Sequence, residues 1–289
     1  MPDDRSPYSA DGSGGFDSGV PTAARVYDVM LDGKDNYEAD RQVAHASLEV
    51  MPELKQIALY NREMLHRVVR HLAAEEGSAT RSAAAEGDGR RGVDQFLDLG
   101  SGLPTARNTH EVAKEANPGA KVVYVDIDPL VSAHGEAILG GDPDTAVVTG
   151  DVREPAEILA HPGVRALIDF DRPVCVMLCG ILHHLLDEED PKGIVTALAD
   201  AVAPGSYFFI TNFTRLGDAP ESAELERVLL SQLGTGRVRT SAELEEFFEG
   251  LDLLPPGLVP LPLWRPEGVV RDSTSVAARF MTGGVARKP

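Results

Sequence analysis

Cysteine is nearly absent, with two in 289 residues; tryptophan occurs once, and aromatic residues make up only 6%. Both cysteines, Cys175 and Cys179, lie in the apolar run "PVCVMLCG". On a strand, residues four apart face the same side but stand about 13 Å apart. A disulfide needs Cα atoms within about 7 Å of each other, so none is expected between these two. With no further cysteine nearby, a cysteine-based zinc site is excluded as well, and both residues read as buried apolar side chains. No run of about 18 uncharged apolar residues occurs, so no membrane span is expected. The opening "MPDDRSPYSADGSGGFDSG" lacks the basic start and apolar segment of a secretory signal, which makes the cytoplasm the default expectation. Positive charge is scarce: 27 Lys and Arg stand against 46 Asp and Glu, a formal net charge of −19. Binding to duplex nucleic acid rests on neutralising phosphates, so such a partner is disfavoured, whereas a cationic ligand is well tolerated.

What is there is enough apolar residue, 43%, for a sizeable core. Residues 1–20 read as a disordered tail, with little to bury. Residues 21–76 carry a helical pattern. "ARVYDVMLDGKDNY" breaks at Asp32-Gly33, and a long helix opened by Pro52 shows Leu54, Ile57, Ala58, Leu65, Val68, Val69 and Leu72 at helical spacing. Residues 77–92 read as a flexible linker. From residue 93 to 289 strands and helices alternate, which implies an α/β domain: a doubly wound, mostly parallel sheet covered on both faces. Five strands are expected at "QFLDLG", "KVVYVDID", "TAVVTGD", "PVCVMLCG" and "SYFFITNF". The helix after the first is expected to start near Pro104. Two closing strands, "LLPPGLVPLPLW" and "SVAARFMTG", complete a seven-stranded sheet as an edge hairpin.

In such a sheet, ligands bind at the carboxyl ends of the strands. The first strand ends Asp98-Leu99-Gly100-Ser101-Gly102, where glycine lets the backbone turn tightly and approach a ligand. The second ends in Asp126, followed by Ile127, and a carboxylate there can accept both hydroxyls of a ribose. Asp128 is the weaker alternative. After the third strand, Asp151 can accept an adenine amino group and Val152 can pack on the ring, although Asp151 is also placed to cap a helix. The fourth strand releases into Cys179-Gly180 and then His183-His184, adjacent residues whose side chains are expected to diverge. His110 reads as structural. A nicotinamide dinucleotide would suit Asp126 equally, but its glycine fingerprint requires Gly or Ala at Thr105.

"DLGSG", "VVYVDIDP", "GDV" and "CGILHHL" together resemble the motifs of class I S-adenosylmethionine-dependent methyltransferases. With "ARVYDVMLDGKDNY", "FLDLGSGLPT", "THEVA" and "PGLVPLPLWRP", the chain from Pro21 onward is similar to the actinobacterial S-adenosyl methyltransferase family long catalogued as a domain of unknown function. The class pattern's third glycine is missing. Leu103-Pro104 stand there, and proline removes a backbone donor, though the family resemblance includes that proline. The resemblance implies S-adenosylmethionine as cofactor, a Rossmann-like methyltransferase sheet, and N-terminal helices forming a lid over the cofactor. Within the lid it draws attention to Tyr27, Lys34, Asn36 and Tyr37, with Arg62 as a partner for the cofactor's carboxylate. The family's own methyl acceptors are mostly undefined; the expected function is methyl transfer to a small-molecule acceptor of secondary metabolism. His183 and Tyr27 are the candidate bases for an acceptor that must lose a proton, and no metal is required. The alternatives are a cofactor-binding regulatory protein without catalysis and, further off, a nicotinamide oxidoreductase. Oligomeric state leaves no signature in the sequence.

Overall fold

The computed structural model describes residues 17–74, 92–105, 107–139, 141–270 and 272–289. Nearly all of the expected tail and linker lie outside these residues. Helix α1 (Ala23–Met30) is capped by Thr22, whose side chain accepts from Arg25 N. After the turn at Asp32-Gly33 come α2 (Glu38–Val50) and the 20-residue α3 (Leu54–Ala73). The expected apolar stripe of α3 is buried, and one polar residue, Asn61, is buried on it too. Arg25 ties α1 to the rest. Its Nε lies 3.2 Å from Asp128 Oδ2 and its Nη1 3.5 Å from Asp40 Oδ2, all but excluded from water, while Thr22 Oγ1 donates to Asp128 Oδ2 at 2.7 Å. Asp128 is therefore an anchor for the N-terminal helices.

The α/β part runs β1 (Gln95–Leu99), α4 (Thr109–Ala116), β2 (Lys121–Asp126), α5 (Pro129–Leu139), β3 (Thr145–Thr149), α6 (Pro155–Ala160), α7 (Pro162–Arg165) and β4 (Cys175–Cys179). It continues with α8 (Pro191–Ala201), β5 (Tyr207–Phe213), α9 (Pro220–Leu233), α10 (Ser241–Glu245), β6 (Asp252–Leu253), β7 (Val259–Pro260), α11 (Val276–Arg279) and β8 (Met281–Arg287). The sheet order is β3-β2-β1-β4-β5-β8, with β6 and β7 both paired to the outer side of β8. β1 to β5 are parallel; β8 is antiparallel to β5 over seven residue pairs. The sheet thus has seven positions, the seventh shared by two short strands. β1 is buried at every position, as a strand covered on both faces must be.

The first helix of the sheet does not start near Pro104. Asn108 and Glu111 form a capping box, so α4 begins at Thr109. The closing strands differ as well. "LLPPGLVPLPLW" is broken by its prolines into β6, a turn, β7 and a 3₁₀ turn, while Ser275 caps a short helix where "SVAAR" was expected to extend, leaving β8 to start at Met281. β8 is not an edge strand but lies inside the sheet.

Each face of the sheet buries a core. One joins Phe96, Met177, Phe209 and Val285 to α1–α4 and α9; the other joins Leu97, Val176, Phe208 and Ile210 to α6–α8 and α10. The N-terminal helices therefore share a core with the sheet. Cys175 and Cys179 are both free and lie on the first of these faces. Among the described residues no helix is long and apolar enough to cross a membrane.

Candidate active site

A parallel sheet leaves a crevice where successive crossovers diverge, here between β1 and β4. A cavity of about 480 Å³ opens there, between the strand ends and α1, α3 and α9. Of the residues singled out in the sequence, Asp98, Gly100, Ser101, Gly102, Asp126, Ile127, Asp151, Val152, Cys179, Gly180, Tyr27, Arg62 and His183 line it.

The glycine turn follows from its own geometry. Gly100 and Gly102 adopt φ of +66° and +68°, the left-handed region that side chains resist. A Cβ on Gly100 would fall 2.5 Å from Ile181 Cγ1, whereas one on Gly102 would meet nothing within 4 Å and project into open space. Gly100 N and Ser101 N both donate to Val125 O, at 2.8 and 3.2 Å, which moors the turn to β2.

Two carboxylates flank this turn. Asp126 is buried; its Oδ2 accepts from Gly102 N at 2.8 Å and its Oδ1 from Asp128 N at 2.9 Å. Asp98 is buried as well and accepts from Thr109 Oγ1 at 2.8 Å. Burial pushes both up to about 6, against the backbone and hydroxyl donors that favour their charged forms. Asp151 does not cap α6, whose N-cap is Glu154; it is bound by Arg153, which reaches across to Glu189. Arg153 and Glu189 also line the cavity and carry no motif signal in the sequence.

Arg62 comes from α3. Its Nη2 donates to Arg107 O at 3.0 Å, while its Nε is buried with no partner, as is Ser101 Oγ. Both residues also border a smaller void of about 30 Å³ behind the glycine turn. Buried donors without partners are rare in folded proteins.

Asn61 was not anticipated. It accepts from Thr211 Oγ1 at 2.8 Å and donates to Tyr27 OH at 3.2 Å, and Tyr27 OH donates to Ala58 O at 3.2 Å. The signal was present: a polar residue inside the apolar stripe of a long helix. Tyr27 is held as a hydrogen-bond donor. Burial raises its phenol further above its ordinary value, so it stays protonated, and its proton is committed to a backbone carbonyl. Asn36 and Tyr37 do not line the cavity, nor does Lys34. Asn36 donates to Asp28 Oδ2 and accepts from Arg41; the Tyr37 ring lies 5.6 Å from the Arg25 guanidinium. Those polar groups build the turn into α2. His110 meets Tyr124 OH at 2.9 Å, a structural contact.

His183 and His184 sit on a 3₁₀ turn and do not diverge: their ring centroids are 4.4 Å apart. His183 stacks on Phe213 at 4.0 Å, and His184 Nδ1 meets Thr235 Oγ1 at 3.1 Å. Burial holds His183 well below the ordinary imidazole value and His184 at about 4, so both rings are neutral at pH 7. Among the described residues no group of three His, Cys, Asp or Glu stands together to hold a metal ion.

A sequence model of the S-adenosyl methyltransferase family matches residues 9–289. The fold is similar to that of a proposed methyltransferase from Thermobifida fusca YX, 46% identical, with a TM-score of 0.86 over 97% of this chain and 99% of that one. It is also similar to a DUF574 family protein from Streptomyces avermitilis MA-4680, 37% identical, with a TM-score of 0.84 over 94% of this chain and 99% of that one. No curated protein matches. The chain belongs to the S-adenosyl methyltransferase family and is an S-adenosylmethionine-dependent methyltransferase with a Rossmann-like sheet.

Proposed function

We propose that the cavity holds S-adenosylmethionine beneath a lid made by α1–α3, and that the methyl acceptor is a small molecule of secondary metabolism. The observation that carries this reading is Asp126: a buried carboxylate closing β2, in contact with a glycine turn whose open side faces the cavity. Asp126 takes the ribose hydroxyls, with Ile127 beside the sugar. Asp151 and Val152 take the adenine, the first accepting from its amino group and the second packing on its face. Arg62 and Ser101, whose buried donors lack partners, fit the carboxylate of the methionine end. Asp98 and the backbones of Gly100, Gly102, Cys179 and Gly180 surround the remainder. When bound, the cofactor supplies an electrophilic methyl carbon on a sulfonium and leaves as a neutral thioether.

The chain's own work is alignment and exclusion of water. Holding two reactants in line contributes effective molarities that reach about 10⁵ M and above. The lid closes over the strand ends through the Arg25 anchor, and the Thr211–Asn61–Tyr27 chain of hydrogen bonds fixes α1 and α3 against β5. A cavity of about 480 Å³ covered by three helices suits a small acceptor rather than a polymer.

Titration calorimetry with S-adenosylhomocysteine tests the reading. Binding to the wild type that is weakened about 10- to 100-fold in Asp126→Ala supports it. Equal binding to both proteins, or none to the wild type, overturns it.

A further inference from the structure

Two charged residues of the cavity wall stand outside every motif of the sequence: Arg153, in the loop after β3, and Glu189, in the loop after β4. In the sheet, β2 and β1 separate β3 from β4, so the two strands lie three positions, or about 14 Å, apart. Their loops nevertheless meet. Arg153 Nη1 stands 3.1 Å from Glu189 Oε1, and Glu189 Oε2 accepts from Leu186 N at 2.7 Å. The ion pair is thus a strap that joins the two loops at the wall of the cavity.

The same arginine holds Asp151 side-on. Its Nε donates to Oδ1 at 2.9 Å and Oδ2 at 2.8 Å, its Nη2 to Oδ2 at 2.5 Å, and its backbone N to Oδ1 at 2.9 Å. A planar guanidinium bound through two nitrogens fixes the plane of a carboxylate as well as its place. Nε carries a single hydrogen, so three hydrogens serve these four contacts. A carboxylate offers about four acceptor sites, which leaves one for a further donor. The Arg153 side chain is 38% exposed and both carboxylates 25%. Ion pairs this wet add little to the stability of a fold. What the strap fixes is a direction, that of the Asp151 carboxylate.

Resting on the reading of Asp151 as the partner of the adenine amino group, we propose that Arg153 is a positioning residue for selection of the cofactor's base. Held by Glu189 on its far side, it turns Asp151 so that the remaining acceptor site meets the 6-amino group. A purine with a carbonyl at that place sets oxygen against oxygen and is refused. Without Arg153 the Asp151 and Glu189 carboxylates have no counter-charge between them, and Asp151 is free to turn toward water. Arg153 acts through Asp151 and takes no part at the reacting atoms.

Calorimetry with S-adenosylhomocysteine and with S-inosylhomocysteine, which carries a carbonyl in place of the amino group, tests this. The proteins are the wild type, Asp151→Ala, Arg153→Met and the double variant. The wild type should prefer S-adenosylhomocysteine by about tenfold or more, the effect of one hydrogen bond to a charged group. Arg153→Met should lose most of that preference by weakening S-adenosylhomocysteine alone, while its urea midpoint hardly moves. The double variant should bind S-adenosylhomocysteine as Asp151→Ala does, because a residue that acts through another adds nothing once that other is gone. The proposal is overturned if the wild type binds both compounds equally, if the preference survives in either single variant, if Arg153→Met weakens both compounds alike, or if the double variant binds more weakly than Asp151→Ala. Failure of the wild type to bind S-adenosylhomocysteine at all rejects the methyltransferase reading itself, before any preference is measured.

Discussion

Asp98 and Asp126 pose a conflict at the residue scale. Both are buried, and burial first of all pushes both up to about 6, with the charge of Asp126 adding to the rise at Asp98 and that of Asp128 to the rise at Asp126. Without ligand, the folded chain holds these protons more tightly than the unfolded chain does. Their contribution to stability is therefore greatest below the ordinary carboxylate value, near 4, and is lost as pH rises through 6. Ligand binding has the opposite sign, because ribose hydroxyls need the ionised acceptor. Affinity for S-adenosylhomocysteine should fall by about tenfold for each carboxylate engaged between pH 7 and pH 5, while urea melts of the free protein show no matching loss from these two groups. Calorimetry at the two pH values decides it. At pH 7, Asp126→Ala should weaken binding by about 10- to 100-fold, the effect of a hydrogen bond to a charged group. The strand-end residues were legible because a parallel sheet presents the same few positions to any ligand. Asn36 and Tyr37 were not, because a polar cluster in a turn looks the same whether it faces a cavity or its own backbone.

At the scale of elements, the packing of the N-terminal helices depends on one cation. Arg25 sits between Asp40 and Asp128, all three almost wholly buried. Removing one member of such a group leaves an uncompensated buried charge and costs about 3–5 kcal/mol. Arg25→Ala should therefore lower stability by that order in denaturant titrations, and hydrogen exchange should quicken first in α1. The elements also show where patterning runs out. The start of α4 was misplaced because proline is a general helix starter, whereas the Glu111 carboxylate accepts from Asn108 N and Asn108 Oδ1 accepts from Thr105 N, which ends the turn there. Asn108→Ala should cost about 1 kcal/mol by the same assay. The central strands were easily read, since burial on both faces demands continuous apolar runs. β6 and β7 were not, because two-residue strands borrow their conformation from β8 and carry no period of their own.

At the scale of the molecule, helices and sheet share one apolar core, so cofactor binding should stabilise the chain as a unit. Ligand at about a hundred times its dissociation constant adds about 2.7 kcal/mol, which for a chain of this size raises Tm by roughly 4–5 °C. A single calorimetric transition that moves as a whole is expected; N-terminal helices melting ahead of an unmoved sheet would contradict it.

The far edge of the sheet is shared by two dipeptide strands, with Pro255 and Pro256 between them and Pro260 and Pro262 at and just after the second. Each proline withholds an amide hydrogen. A second molecule approaching that rim finds no continuous row of donors and acceptors to copy, and the long interior strand behind it is paired along its whole length to β5 and at four of its seven residues to β6 and β7. The break in the outermost position thus acts as a stop against growth of the sheet from one molecule into the next.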